Sequence, residues 1–157
     1  MSDKEHKKIK VLYIDDEENN LSAFKAAFRR LYKITTSISA NEAKKILKNE
    51  SFDIIISDQR MPNMTGVELL EFVRKSYPDP IRILLTGYSD IDAVIDAINR
   101  GEVYRYVTKP YNNDEMKNLI EASHEVFCLR KENKQLLLDL QDANKKLEFI
   151  ARQSLLS

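Results

Sequence analysis

The runs Val11-Leu12-Tyr13-Ile14, Asp53-Ile54-Ile55-Ile56 and Arg82-Ile83-Leu84-Leu85 carry apolar side chains on consecutive positions, without clean in/out alternation. Strands of that kind are buried on both faces, as in a parallel sheet covered by helices on each side. The segments between them have a different period. Leu21, Phe24, Ala27, Phe28 and Leu31 recur at helical spacing, and so do Ala43, Ile46 and Leu47. The spacing predicts strands at Ile9–Ile14, Tyr32–Ile38 (the weakest), Asp53–Ser57, Ile81–Leu85 and Val103–Val107. Helices are predicted from about Leu21 to Leu31 and at Asn41–Asn49, Val67–Lys75 and Asp90–Asn99, with Gly101 closing the last of these as a C-cap. Five strands alternating with helices imply an α/β, three-layer, doubly wound parallel sheet. In such sheets ligands bind outside the carboxyl ends of the strands, where the strand order reverses.

The last segment has another character. From about Asn113 to Arg152 there is no proline, no glycine and no strong turn signal. Asn112 or Asn113 can cap a helix there, and Asp114 and Glu115 suit the positive end of its dipole. A helix of ~40 residues is ~60 Å long, so most of its second half must leave a domain of this size. Counting heptads from Val126 places Val126, Asn133, Leu140, Leu147 and Ser154 at a, and Leu129, Leu136, Ala143, Ile150 and Ser157 at d. A lone Asn at an a position fixes register and a two-stranded state, and Glu125 at g opposite Arg130 at e favours a parallel pair. The expected dimer seam is Leu129, Asn133, Leu136, Leu140, Leu147 and Ile150. Leu137 and Leu138 broaden the stripe beyond a strict seam.

Composition narrows the function classes. The 157 residues hold 25 basic and 25 acidic side chains, so there is no net field to attract nucleic acid or an anionic membrane. Cys128 is the sole cysteine, which rules out an intrachain disulfide. The charged start "MSDKEHKKIK" lacks the apolar core of a signal peptide, and no apolar run reaches the ~20 residues of a membrane span. The expectation is a cytoplasmic protein with no nucleic-acid or membrane partner.

The predicted strand ends carry the chemistry. The first ends in Asp15-Asp16, the third in Asp58, the fourth in Thr86-Gly87 and the fifth in Thr108-Lys109-Pro110. The fold would gather them at one mouth. Three carboxylates together raise one another's pKa unless a cation joins them, and an all-oxygen set suits a hard ion such as Mg²⁺. A metal, a lysine, a hydroxyl and a carboxylate together suit a phosphoryl group, and an aspartate can become an acyl phosphate. Asp58, single and central, is the candidate nucleophile, and the Asp15-Asp16 pair is better suited to holding metal.

Taken singly these residues have ordinary readings. Asp15-Asp16 could be a helix cap, Asp58 could cap a turn, and Lys109 could be a solvated charge. His6, His124 and Cys128 lack metal-ligand company, and Met61 and Met64 read as gap-fillers.

Together, "YIDDEE", "IIISDQRMPNMTGVELL", "ILLTGYSD" and "YRYVTKPY" resemble the receiver domain of bacterial two-component response regulators, in order and with the family's spacing, over about residues 8–126. The resemblance implies a flavodoxin-like five-stranded fold over residues 8–126, after a tail at 1–7; the heptads make 127–157 the expected coiled-coil extension, and its apolar, helix-compatible end "ARQSLLS" leads to the expectation of an output domain beyond it. Phosphodiesterase, cyclase, kinase and DNA-binding outputs are all compatible, and the acceptor loop is similar to receivers attached to phosphodiesterase-type outputs. It implies that Asp58 accepts a phosphoryl group from a sensor histidine kinase or phosphotransfer protein. Asp15, Asp16, Asp58 and the Arg60 backbone carbonyl would bind Mg²⁺, with Asp16 the more direct ligand of the pair. Thr86 and Lys109 would contact the phosphoryl oxygens, the Lys109-Pro110 bond would be cis, and Tyr106 (rather than Tyr104) would be the switch aromatic. On this reading the chain catalyses only its own phosphorylation and dephosphorylation. Arg60 and Tyr88, each two residues past a key group, should flank the path of water, so Arg60→Gly or Tyr88→Ala should shorten the phosphorylated lifetime.

Three other readings compete with this one. An aspartyl-nucleophile phosphatase usually has a second acid two residues after the nucleophile, where this chain has Arg60. A nucleotide-binding domain would want a glycine-rich turn where this chain has "DDEENN". The third is a phosphorylation-independent dimerisation scaffold.

Overall fold

The computed structural model describes residues 7–156. The tail residues 1–6, with His6, and Ser157 at the last d position lie outside the described residues. Five strands form one parallel sheet: β1 (Lys10–Ile14), β2 (Lys33–Ser37), β3 (Ile54–Asp58), β4 (Ile81–Thr86) and β5 (Arg105–Thr108), in the order β2-β1-β3-β4-β5. The helices are α1 (Glu18–Phe28), α2 (Ala40–Asn49), α3 (Gly66–Ser76), α4 (Ile91–Asn99) and α5 (Asn113–Leu156). A short 3₁₀ turn, Tyr88–Asp90, precedes α4.

Because β1, β3 and β4 lie inside the sheet, both faces of each are covered. Val11, Tyr13, Ile54, Ile56 and Ile83 pack on one side against Phe24 and Phe28 of α1 and Met116 and Ile120 of α5. Leu12, Ile14, Ile55 and Leu84 pack on the other against α2, α3 and α4. The unalternating runs are thus explained by two cores, one on each side. Caps stop and start the helices where the loops require it. Ser39 and Thr65 accept the backbone N–H groups of Glu42 and Glu68, and Asn112 accepts that of Glu115 at 2.7 Å. Gly101, at φ +76°, follows the C-cap residue Arg100 and ends α4 in the left-handed conformation that glycine adopts readily there.

Two expectations need correction. Leu31 was expected on the inner face of the first helix, but α1 stops at Phe28 and Leu31 is 46% exposed. The Leu31 and Tyr32 N–H groups both bond the Phe28 carbonyl, and this turn puts Tyr32 into the core instead. Likewise Val103 and Tyr104 precede the last strand. The Tyr104 N–H reaches the Arg82 carbonyl at 2.8 Å, and regular pairing begins only at Arg105 opposite Ile83.

Helix α5 runs for 44 residues without a break, straight through position 126. Its first turns are buried on the sheet, and Phe127 still packs against the core. Beyond, Arg130 lies over the Tyr104 ring and Lys134 pairs with Asp79 at 3.7 Å. The apolar stripe at Leu129, Leu136, Leu140, Leu147 and Ile150 is exposed along its whole length, together with Leu137, Leu138 and Phe149. Among the described residues no helix is long and apolar enough to cross a membrane.

Candidate functional site

The chain folds so that β1 has β2 on one side and β3 on the other, which makes the β1/β3 boundary the place where strand order reverses. Asp15 and Asp16 leave the carboxyl end of β1 there, and Asp58 ends β3. One carboxylate oxygen from each of the three lies within 4.8 Å of the others. These three form the only such group of potential metal ligands among the described residues, and neither His124 nor Cys128 joins one. An all-oxygen donor set of this size fits a hard divalent cation, which keeps waters in its remaining positions.

The two members of the β1 pair are held differently. Asp15 is buried and already occupied. It accepts hydrogen bonds from the Tyr13 hydroxyl at 3.0 Å, the Asn20 amide at 3.1 Å and the Glu17 N–H at 3.0 Å. Burial, with the Asp15 charge next, pushes the Tyr13 hydroxyl's pKa up and keeps it a donor. Asp16 is exposed, and its carboxylate is the freer of the two to meet a ligand.

Asp58 is buried at the floor of a cavity of about 450 Å³ lined by Asp16, Arg60, Thr86, Gly87, Ser89 and Lys109, among others. A larger groove of about 830 Å³ lies at the opposite end of the sheet beside Tyr32 and His124, so chemistry rather than size picks out the site. Burial raises the Asp58 pKa above the ordinary carboxylate value. Lys109, whose ammonium pairs directly with Asp58, opposes that shift, and the Asp15 and Asp16 charges add to it. The carboxylate is therefore crowded by like charge and steadied by one cation.

The neighbours of Asp58 are placed by the sheet. Thr86 ends β4 opposite Thr108 of β5, and the Lys109 N–H bonds the Thr86 carbonyl at 2.9 Å. This brings the hydroxyl and the ammonium to the same mouth. The Lys109-Pro110 bond is cis. Gly87 leaves open space, since an added Cβ would meet nothing within 4 Å.

On the other flank the Gln59 side chain accepts the Val67 N–H at 2.9 Å and the Gly66 N–H bonds the Gln59 carbonyl at 3.0 Å, which folds the loop after Asp58 back onto α3. Gly66 is a site residue that sequence reasoning missed. A Cβ there would strike the Asp58 carbonyl oxygen and lie 2.6 Å from Leu84 Cδ1. The signal was present in "NMTGVELL", a glycine at the very start of a helix, where a cap residue is ordinarily followed by better helix formers.

The chain belongs to the response regulator receiver family. The family model for the response regulator receiver domain matches residues 11–121. The hydrogenase transcriptional regulatory protein HoxA of Cupriavidus necator is 32% identical over all 157 residues, which span 32% of that protein. Its namesake from Bradyrhizobium diazoefficiens is 31% identical over 131 residues. The chain thus spans about a third or less of the curated relatives it matches. Among solved structures, an uncharacterized protein from Neptuniibacter caesariensis is 40% identical with a TM-score of 0.77, covering 81% of this chain and 95% of that one. A structure described as an adenylate cyclase from Rhodopirellula baltica is 30% identical with a TM-score of 0.81, covering 83% and 97%.

As a receiver, the chain takes a phosphoryl group on an aspartate and relays the change within a two-component system. The remaining expected residues sit as follows. Tyr106 lies on edge strand β5 and is 38% exposed. Tyr88 is 73% exposed and is absent from the residues lining the cavity. Arg60 does line it, but its guanidinium reaches across to Ser89 and Asp90.

Proposed function

We propose that Asp58 is the phosphoacceptor of this receiver, loaded in the cytoplasm by a sensor histidine kinase or phosphotransfer protein. The observation that carries the reading is the meeting of Asp58, Lys109 and Thr86 in one cavity beside Asp15 and Asp16. The Asp58 carboxylate attacks phosphorus, a P–O bond forms, and the phosphoramidate P–N bond of the donor histidine breaks. Lys109 exchanges its carboxylate partner for a phosphoryl oxygen, and Thr86 donates its hydroxyl to another. Asp15, Asp16, Asp58 and the Arg60 carbonyl would hold Mg²⁺, which when bound neutralises charge on the phosphoryl oxygens. Asp16 is the more available ligand of the pair, since Asp15 is engaged by three donors. The chain's own chemistry ends with gaining and losing this group.

The test is incubation with Mg²⁺ and a small acyl phosphate. Intact mass should rise by a single phosphoryl group, and a chelator should suppress the gain. A protein that dimerises yet never gains mass would instead be a scaffold.

The output follows from α5. Movement of Thr86 toward the phosphoryl group leaves space that Tyr106 fills by turning inward, which alters the β5 edge. Tyr104, just before β5, already lies under the guanidinium of Arg130 of α5. A change there biases the register or rotation of a parallel homodimer built on Leu129, Asn133, Leu136, Leu140, Leu147 and Ile150. An exposed apolar stripe of this length is ordinarily covered in an assembly. Replacing Leu136 and Leu140 by Ser should raise the dimer dissociation constant by roughly 100-fold or more, read by light scattering across a dilution series. An unchanged mass at every concentration would remove the seam from the account.

A further inference from the structure

The groove of about 830 Å³ at the far end of the sheet has no part in the chemistry above. Its walls are the approach to β1, the end of α1, the start of β2 and the root of α5. Seven of the residues lining it are lysine or arginine, and only Asp53 is acidic. Lys7, Lys8 and Lys10 come from the approach to β1, Lys25 and Arg29 from α1 and its C-cap, and Lys33 opens β2. The seventh, Lys131, stands on α5. The chain as a whole has 25 basic and 25 acidic side chains, so this concentration of positive charge is local.

Carboxylates neutralise basic groups elsewhere in the fold. Arg60, Lys75, Arg100, Lys109, Lys134 and Lys146 each have an acidic partner. Among the described residues, no lysine or arginine of the groove has one. Asp53 accepts the Lys10 N–H at 3.1 Å and lies 3.8 Å from His124 Nε2. The ammonium groups of Lys10 and Lys131 lie over the Phe52 and Phe127 rings instead, each at 5.5 Å. A concave surface lined by one sign of charge focuses its field and draws in counter-ions. Part of the lining is apolar: Tyr32 belongs to the core, and Ile34 and Phe127 pack against it.

We infer that this groove binds a nucleoside polyphosphate, with its phosphates among Lys25, Arg29, Lys33 and the lysines before β1 and its base against Ile34 and Phe127. The volume is that of a small-molecule pocket. Several negative charges on one ligand match several unpaired cations, and both lysine and arginine form charge-assisted hydrogen bonds to phosphoryl oxygens. An inorganic anion would leave the apolar wall uncovered, whereas a nucleobase covers it. Phe127 and Lys131 come nine residues before Leu136 and Leu140, about half a turn away at ~100° per residue, so a dimer on that seam leaves the groove open. Because α1 and β2 form one wall and α5 the other, an occupant ties the root of α5 to the body. The groove is thus a second input to the same helix, and it does not depend on Asp58 being the acceptor.

The test is calorimetric titration of the whole chain with ATP in about 0.15 M salt. A chelator is present, so that no metal-bridged phosphate forms at the acid cluster. One ATP should bind per chain, with a Kd of about 100 µM or tighter. Lys25→Gln combined with Arg29→Gln should weaken binding about tenfold or more, and both residues are exposed, so melting should not change. Inorganic tripolyphosphate has the charge without the base and should bind about fivefold more weakly than ATP, or weaker still. Amide chemical shifts should move at residues 25–34 and 124–131, and ATP should slow amide exchange across 124–131. No heat and no shift at about 1 mM ATP would overturn the inference. Tripolyphosphate that matches ATP would also overturn it, leaving a non-specific cation patch. So would shifts gathered around Asp58, Thr86 and Lys109. A short single-stranded oligonucleotide that binds more tightly than ATP and displaces it would overturn it too, and would give the groove to nucleic acid.

Discussion

Asp58→Asn is expected to abolish the phosphoryl gain outright and, in metal-free buffer, to make the protein more stable than the wild type. The first effect follows because the amide has no nucleophilic oxygen of comparable basicity and no second aspartate occupies its place at the end of β3. The second follows from the crowding. Asp58 is buried beside two other carboxylates, and its pKa is raised chiefly by that burial. Removing the charge relieves both the desolvation and the repulsion, against the loss of the pair with Lys109, whose ammonium is partly open to water. A gain of about 1–2 kcal/mol is expected, measured by denaturant unfolding with a chelator present.

The sign can be checked with pH. A folded-state pKa raised above the ordinary 3.8 means that the folded protein holds the proton more tightly than the unfolded chain. The associated stability is fully present below that value and is lost as pH rises through the folded pKa. The variant should lack this decline. Mg²⁺ should raise the wild type's melting temperature more than the variant's, since it binds the folded carboxylate cluster. A variant that melts below the wild type in chelator, or still gains mass, would contradict the charge balance described for the site.

Gly66→Ala should be among the most damaging conservative changes in the chain. The added methyl meets the Asp58 carbonyl oxygen and the Leu84 side chain, and both are fixed in the centre of the sheet. Overpacking of this kind costs about 2–3 kcal/mol, or roughly 5–10 °C in melting temperature for a chain of this size. The strain falls on the acceptor's own backbone, so the rate of phosphoryl uptake should fall as well. Gly87→Ala is the control. Its Cβ meets nothing within 4 Å and its φ of −85° suits any residue, so the fold should melt as the wild type does. Equal melting of the two variants would show that the close approach of α3 to β3 is not what requires glycine.

The interior strands and the acid cluster were legible because each obeys a rule with few alternatives. Strands buried on both faces read as unbroken apolar runs, and in an alternating α/β chain their carboxyl ends share one mouth. Asp15, Asp16, Asp58, Thr86 and Lys109 therefore fall together from their places in the sequence alone. Features set by tertiary closure were not legible. Leu31 fits the helical period of α1 as well as Phe28 does, and only the turn that feeds edge strand β2 exposes it and buries Tyr32 in its place. Gly66 was passed over because its neighbour is the backbone of a distant strand. Arg60 was expected beside the water path. Its attachment to Ser89 and Asp90, 29 and 30 residues on, depends on how two loops meet, which no local pattern records. Tyr88 shared the same reasoning, yet it is exposed and is not among the residues that line the cavity.

The unbroken run of α5 has a mechanical consequence. Among the described residues, Lys134 with Asp79 is the ion pair to the body that lies farthest along the shaft, and ~33 Å of helix extends past it at ~1.5 Å per residue. A tilt of ~10° at the root would sweep the far end through roughly 6 Å, more than half the 8–10 Å that separates the axes of two packed helices. A displacement too small to notice at the acceptor would thus become, at the tip, the difference between two side chains interlocking and missing.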